Sequence, residues 1–497
     1  MASLYDDYRE KLQQIADVRY SLAVLQWDQE TYMPAKSAAT RARQIATLSE
    51  VAHNMQTDST LDTLLGKLQE DKNLSEDERK NIELSLYDIN QQKKLPGSFV
   101  RQMSEAISQS YQFWLDARKQ NNFRLFEESL SKLVDLKKKE ANYLGYEGHL
   151  YNALLNQYER GATVSMIDPV FNNIRQPLKE LIDEVGNKPQ VDDHFLQQHF
   201  DKSQQWKFSM QLLKEMQFDF DAGRQDISEH PFTTNFSSED VRLTTRIDEK
   251  DISNMTWSCI HELGHGLYEQ GLPAKEYGLP LGEYASLSIH ESQSRLWENN
   301  VGRSISFCKY MFPLLKSYFP TEMQKVSVDQ FYRSINKVQP SLIRTEADEL
   351  TYHFHVIIRY ELEKKLMENS ITVKDIPAYW NEQYKKYLGV DVPDDKRGCL
   401  QDVHWSHGSF GYFPTYSLGS LYAAQFFNTA LSQIKDLQSE IVAGNFAPLL
   451  QWLRTNIHQY GRKFTSEQLC ERVTGEPLNI DHFMKYAREK YAGIYTQ

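Results

Sequence analysis

One stretch limits the fold more than any other: Thr256-Trp257-Ser258-Cys259-Ile260-His261-Glu262-Leu263-Gly264-His265-Gly266-Leu267-Tyr268. It is largely apolar, yet carries two histidines four residues apart with a glutamate after the first. On a helix of about 3.6 residues per turn, positions i and i+4 stack on one face, so both imidazoles reach one metal ion. Glu262 sits about a quarter turn round, where its carboxylate faces a water beside the ion rather than the ion itself. This HExxH pattern demands a helix. Its apolar neighbours demand that the helix be buried.

A catalytic zinc site takes three protein ligands and leaves one position open. The third ligand must come from elsewhere in the chain. Ser286 to Trp297 reads as a second helix and presents Glu291, 26 residues beyond His265, after a Gly/Pro-rich turn from Gly271 to Gly282 that permits an antiparallel return. Glu291 is the preferred third ligand, with Glu283, His290 and Glu298 as nearby alternatives.

With 22 Gly and 16 Pro in 497 residues, both below the usual shares of about 7% and 5%, long helices should dominate. Residues 3 to 125 show helical spacing punctuated by Pro34 and Pro96, and Phe126 to Tyr143 and Val170 to Val185 continue it. No fixed-period repeat or low-complexity linker divides the chain. The length allows two or three ordinary domains or one large helical body with two lobes, and no clean boundary divides residues 1–497. The exception lies at 230–247, where apolar and β-branched residues alternate with polar ones on both sides of Ser237-Ser238-Glu239-Asp240. That predicts a β-hairpin, whose edge strand could pair with an extended peptide. Ile343 to His355 reads as an apolar helix in which Arg344, Glu346 and Asp348 form a buried ionic network.

The formal charge of −12 argues against nucleic acid as a partner. No run of about 18 apolar residues suggests a membrane span, and Met1 to Tyr8 lacks the basic and apolar regions of a signal peptide. Cys259, Cys308, Cys399 and Cys470 form no CxxC pair, which fits a reducing compartment. A soluble cytoplasmic protein is expected.

Gly398 to Tyr416 combines glycines, aromatics and imidazoles, a composition that lets a loop approach a substrate and donate to a developing oxyanion. Eight of the 14 histidines (His230, His261, His265, His290, His353, His355, His404, His407) fall between residues 230 and 407, favouring a shared site.

At these residues the sequence resembles the carboxypeptidase Taq family of metallocarboxypeptidases. The resemblance runs from Trp27-Asp28 and Met33-Pro34 to the final helices. It rests on HPF at His230 to Phe232, DxRxT at Asp240 to Thr244, HExxH at His261 to His265, HES at His290 to Ser292, IRxxAD at Ile343 to Asp348 and GxxQ at Gly398 to Gln401. It implies a mainly α, two-lobed fold similar to neurolysin and angiotensin-converting enzymes, with a deep groove and a small β-hairpin or sheet beside the metal helix. It also implies a homodimer that removes single C-terminal residues from peptides with broad preference and poor action on proline. By the same resemblance the metal would be zinc, or cobalt as in some members, held by His261, His265 and Glu291. Glu262 would then be the general base, and Tyr416 with His404 or His407 would support the oxyanion, Tyr412 less strongly. Arg344 and Arg242 are candidates for the substrate carboxylate, because a guanidinium binds it through a bidentate fork. His230, Arg242 and Gln401 would shape the closed end of the groove. The same metal site would also suit an endo-oligopeptidase or dipeptidase. A zinc-containing binding scaffold would have no use for Glu262.

Overall fold

Helix caps and breakers set the architecture. Ser3 and Ser75 close capping boxes at the starts of Leu4–Thr31 and Glu76–Lys93, and Pro96 precedes Gly97–Gln120. The computed structural model describes residues 3–495, and most of them are helical, as the sparse Gly and Pro predict. Among the described residues no helix is long and apolar enough to cross a membrane. All four cysteines are free and buried.

The main core runs from Trp114 to Tyr495 and includes the apolar side of the metal-binding stretch (Met255, Ile260, Leu263, Leu267). The first helices keep a smaller core of Tyr5, Tyr8, Ile15, Leu61, Leu65, Leu68 and Ile82, which closes on Leu279.

Among the described residues three strands form a single sheet: β1 (Gly223–Ile227), β2 (Thr233–Ser237) and β3 (Asp240–Thr245), in the order β1-β3-β2. The expected hairpin is β2–β3, antiparallel with Thr234 opposite Arg242. β1 runs parallel to β3 and was not legible, because Gly-Arg-Gln-Asp-Ile lacks alternation. β2 is left as an edge strand.

Five helices bear on the site: α1 (Leu4–Thr31), α2 (Ile252–Glu269), α3 (Leu287–Arg295), α4 (Tyr352–Met367) and α5 (Pro414–Gln433). α2 starts at Asp251, whose carboxylate accepts from the Ser253 N–H at 2.8 Å. Glycines let α2, α3 and α5 approach closely. A Cβ on Gly264 of α2 would lie 2.5 Å from the Ser294 Cα of α3, and one on Gly419 of α5 would lie 2.4 Å from the Glu291 Cβ. α3 is therefore clasped between α2 and α5. It runs on into a π-helical segment, Leu296–Gly302, a wider turn often found at functional sites.

The stretch Ile343 to His355 departs from expectation. Arg344–Glu346 is a single 3₁₀ turn and the helix begins only at Tyr352. Asp348 explains the break: its carboxylate accepts from the backbone N–H of Gln339, Leu350 and Thr351, taking donors that a continuous helix would use itself. The Arg–Glu–Asp network is also corrected. Glu346 is exposed, and the carboxylate that pairs with Arg344 is Asp402.

Candidate metal centre and active site

His261 and His265 project from α2, and Glu291 faces them from α3. One ligand atom from each lies within 4.8 Å of the other two. His261 Nδ1 donates to Glu298 Oε2 at 2.9 Å, which leaves Nε2 turned towards Glu291, 4.0 Å from its Oε2. Burial, reinforced by the nearby His290 and His261, drives the His265 pKa well below the usual range, so this ring is neutral as a ligand must be. Two imidazoles and a carboxylate are the donor set of a catalytic zinc site with an open fourth position. The residues present fit a divalent ion.

Of the alternatives to Glu291, two support the ligands. Glu298, in the π-helical segment, holds His261. Burial pushes its carboxyl up, but Arg295, His261 and Arg303 outweigh that and hold it well below the usual range. His290 holds His265, with their Nδ1 atoms 2.5 Å apart. Glu283 instead pairs with Arg462 at 3.3 Å.

Glu262 is buried, and its Oε2 accepts from Thr233 Oγ1 of β2 at 2.6 Å. Burial raises its pKa, opposed by His261 and the Thr233 hydrogen bond. Its neighbour strand therefore both aims and tunes this carboxylate.

Tyr416, on the first turn of α5, meets His404 Nε2 at 3.2 Å, and Arg344 lies 4.9 Å over its ring. Burial holds the Tyr416 phenol well above its usual pKa, so it keeps its proton. Burial also takes His404 down to about 3, leaving it neutral. The Tyr412 ring is 5.2 Å from Tyr416 and 5.3 Å from His404, and the charge of Glu291 is the largest charge acting on its phenol. His407 does not join them: it is exposed, and its ring lies 5.2 Å from Tyr111.

Arg344 is buried. Nε donates to Asp402 Oδ1 at 3.0 Å, Nη2 forms an ion pair with the same oxygen at 2.9 Å, and Nη1 donates to the Tyr352 hydroxyl at 2.9 Å. Asp402 is shared with Arg359 of α4, and the two arginines hold its carboxyl well below the usual range against the cost of burial. Gln401 ties this group together, accepting from the Arg344 N–H and from Arg359 Nη2 at 2.9 Å each. Arg242 sits away from it, paired with Asp240 at 3.0 Å and lying 4.4 Å over Trp27 of α1. His230 is exposed, and its carbonyl accepts from Ser228 Oγ.

Four residues of the site escaped the sequence reading. Thr233 and Asn235 lie on β2, and Glu269 follows His265 by one helical turn. Arg295 lies 3.8 Å from Glu291 and 3.0 Å from Glu298. Only Arg295 left a signal, its i,i+4 and i,i+3 spacing to those two acids.

Two imidazoles and a carboxylate within reach of one ion, a second carboxylate beside them and a wall of phenols and guanidinium are the groups that a metal-dependent hydrolase needs. Residues 7–491 match the model of the carboxypeptidase Taq (M32) metallopeptidases, and the chain belongs to that family. It is 37% identical to carboxypeptidase 1 of Bacillus subtilis (strain 168) over 493 residues, 98% of each chain. Among solved structures, an M32 carboxypeptidase from Deinococcus radiodurans R1 is 37% identical, with 99% of this chain and 100% of that one covered and a TM-score of 0.98. A structure described as that of CHT is 56% identical over 99% of both chains, with a TM-score of 0.97. The protein is a metallocarboxypeptidase, a peptide hydrolase dependent on a divalent ion.

Proposed function

We propose that this enzyme removes single C-terminal residues from peptides, with broad side-chain preference and poor action on proline, using zinc or in its place cobalt. The observation that carries the reading is Glu262, buried and held by Thr233 beside the cluster of His261, His265 and Glu291. A divalent ion held by those three residues supplies Lewis acidity, lowering the pKa of a water towards neutrality and polarising a carbonyl. Glu262 takes the proton from the attacking water and delivers it to the leaving amine. Tyr416, protonated and steadied by the neutral His404, donates to the developing oxyanion, with Tyr412 beside it. His407 has a supporting place at the loop surface rather than in this step.

Arg344 is the better of the two arginines for the terminal carboxylate of the substrate. It shares the Tyr416 wall, and with five N–H donors in its fork it keeps two after serving Asp402 and Tyr352. Arg242 and His230 would shape the approach along β2, whose free edge would pair with the peptide backbone, and Gln401 would hold Arg344 in place. The same proposal includes one catalytic domain over residues 1–497, with the two-lobed groove of the neurolysin and angiotensin-converting-enzyme type, in a cytoplasmic homodimer. The free, buried cysteines suit a reducing compartment.

A mass-spectrometric time course on one long peptide, with a free or an amidated C-terminus, tests the reading. Stepwise C-terminal loss from the free form alone, stopped by chelator and restored by zinc or cobalt, is the expected result. Internal cuts in both forms would replace it with an endopeptidase.

A further inference from the structure

We propose that His290 and Glu269 act as a positioning relay that fixes the tautomer of His265 and sets how tightly the enzyme holds its metal. The inference rests on His265 being a metal ligand. His265 Nδ1 lies 2.5 Å from His290 Nδ1, His290 Nε2 lies 2.7 Å from Glu269 Oε1, and Asn235 Nδ2 donates to Glu269 Oε2 at 2.7 Å. Glu269 is only 3% exposed.

The proton positions follow from what each group is able to do. An ionised carboxylate only accepts, so His290 carries its proton on Nε2 and donates it to Glu269. A neutral imidazole has one bare nitrogen, so His290 Nδ1 is the acceptor. The proton in the short contact must then sit on His265 Nδ1. That leaves His265 Nε2 with its lone pair free for the ion. Glu269 thus dictates the tautomer of His265 through a second imidazole, and Asn235 ties the far end of the chain to β2. The rings of Tyr268 and Tyr284, 5.3 and 5.0 Å from His290, wall it in.

The two metal histidines are therefore held differently. His261 gives its Nδ1 proton straight to Glu298, which Arg295 and Arg303 also bind. His265 reaches its carboxylate only across His290. Partners of this kind change metal affinity by about 10–100-fold when removed.

The test measures zinc affinity by competition with a chelator on the full-length enzyme, together with the visible spectrum of the cobalt-substituted form. His290→Leu removes both bonds and is expected to weaken zinc by about 10–100-fold and to shift the cobalt bands. Glu269→Gln adds no bulk, but places an amide N–H against either His290 or Asn235; it is expected to weaken zinc about 10-fold or more. His290→Gln offers an amide oxygen to His265 and an amide N–H to Glu269, and should recover most of the loss. If His290→Leu melts early, Glu269→Gln and His290→Gln carry the comparison.

Wild-type affinity and an unchanged cobalt spectrum in Glu269→Gln would overturn the relay, as would a His290→Gln variant no better than His290→Leu. A wild-type protein that binds no zinc at all would instead overturn the metal-centre reading and take the relay with it.

Discussion

At the scale of single residues, the site assigns different work to groups that the sequence presents alike. Glu262 and Glu291 are both buried glutamates, yet Thr233 holds one beside the ligand cluster while the other joins it. Glu262→Gln is expected to keep stoichiometric metal and lose at least about two orders of magnitude in kcat, the scale of general-base catalysis, measured on metal-analysed protein. His404 and His407 are equally plausible on a sequence, but only His404 reaches Tyr416. Removing the phenol in Tyr416→Phe should lower kcat by about 10²-fold with little change in KM, the scale of losing one oxyanion donor. His407→Ala should leave both constants near wild type. Equal losses in the two variants would remove the distinction drawn between them.

At the scale of elements, close approach at glycines determines where Glu291 stands. Gly419→Ala would place a Cβ 2.4 Å from the Glu291 Cβ, so α5 and α3 must part. Overpacking of this kind costs about 1–3 kcal/mol. The expected outcome is a lower melting temperature together with weaker zinc binding, even though residue 419 is no ligand; unaltered zinc affinity would show that α3 has slack.

A second device joins α4 to the aromatic loop. Glu363 accepts from Tyr151 at 2.5 Å, Gly411 N at 2.7 Å and Trp405 Nε1 at 2.8 Å, while burial pushes its carboxyl up to about 7. The folded protein therefore binds more protons at this group than the unfolded chain between about pH 4.3 and 7. Its contribution is fully present below the unfolded pKa and is lost as pH rises through the folded one. A shift of this size corresponds to about 3 kcal/mol. Melting temperature should show a falling component from pH 5 to 7, and Glu363→Gln should flatten it; identical pH slopes in the two proteins would refute the assignment.

At the scale of the whole molecule, the candidate metal ligands stand on a framework held by its own apolar core. The helices carrying His261, His265 and Glu291 belong to the main core through Ile260, Leu263, Leu267 and Ile289. Chelation should abolish peptide hydrolysis while far-UV circular dichroism stays unchanged, and the melting temperature should fall only by the mass-action term for a ligand that binds the native state. Loss of helicity on chelation would make the ion structural.

The sequence by itself determined the helical class, the β2–β3 hairpin and the buried helix that sets His261 and His265 one turn apart, because each depends on residues within a few turns of one another. The family resemblance singled out Glu291. Only the tertiary structure decided that β1 joins the sheet, that Asp402 rather than Glu346 or Asp348 pairs with Arg344, and that the helix after Ile343 waits until Tyr352. It alone brought Glu298 to His261 and His290 to His265, and set His407 apart. These are matters of which side chain meets which across distant segments. Hydrogen bonds and steric fit are satisfied there by position in space, and the spacing along the chain holds no record of them.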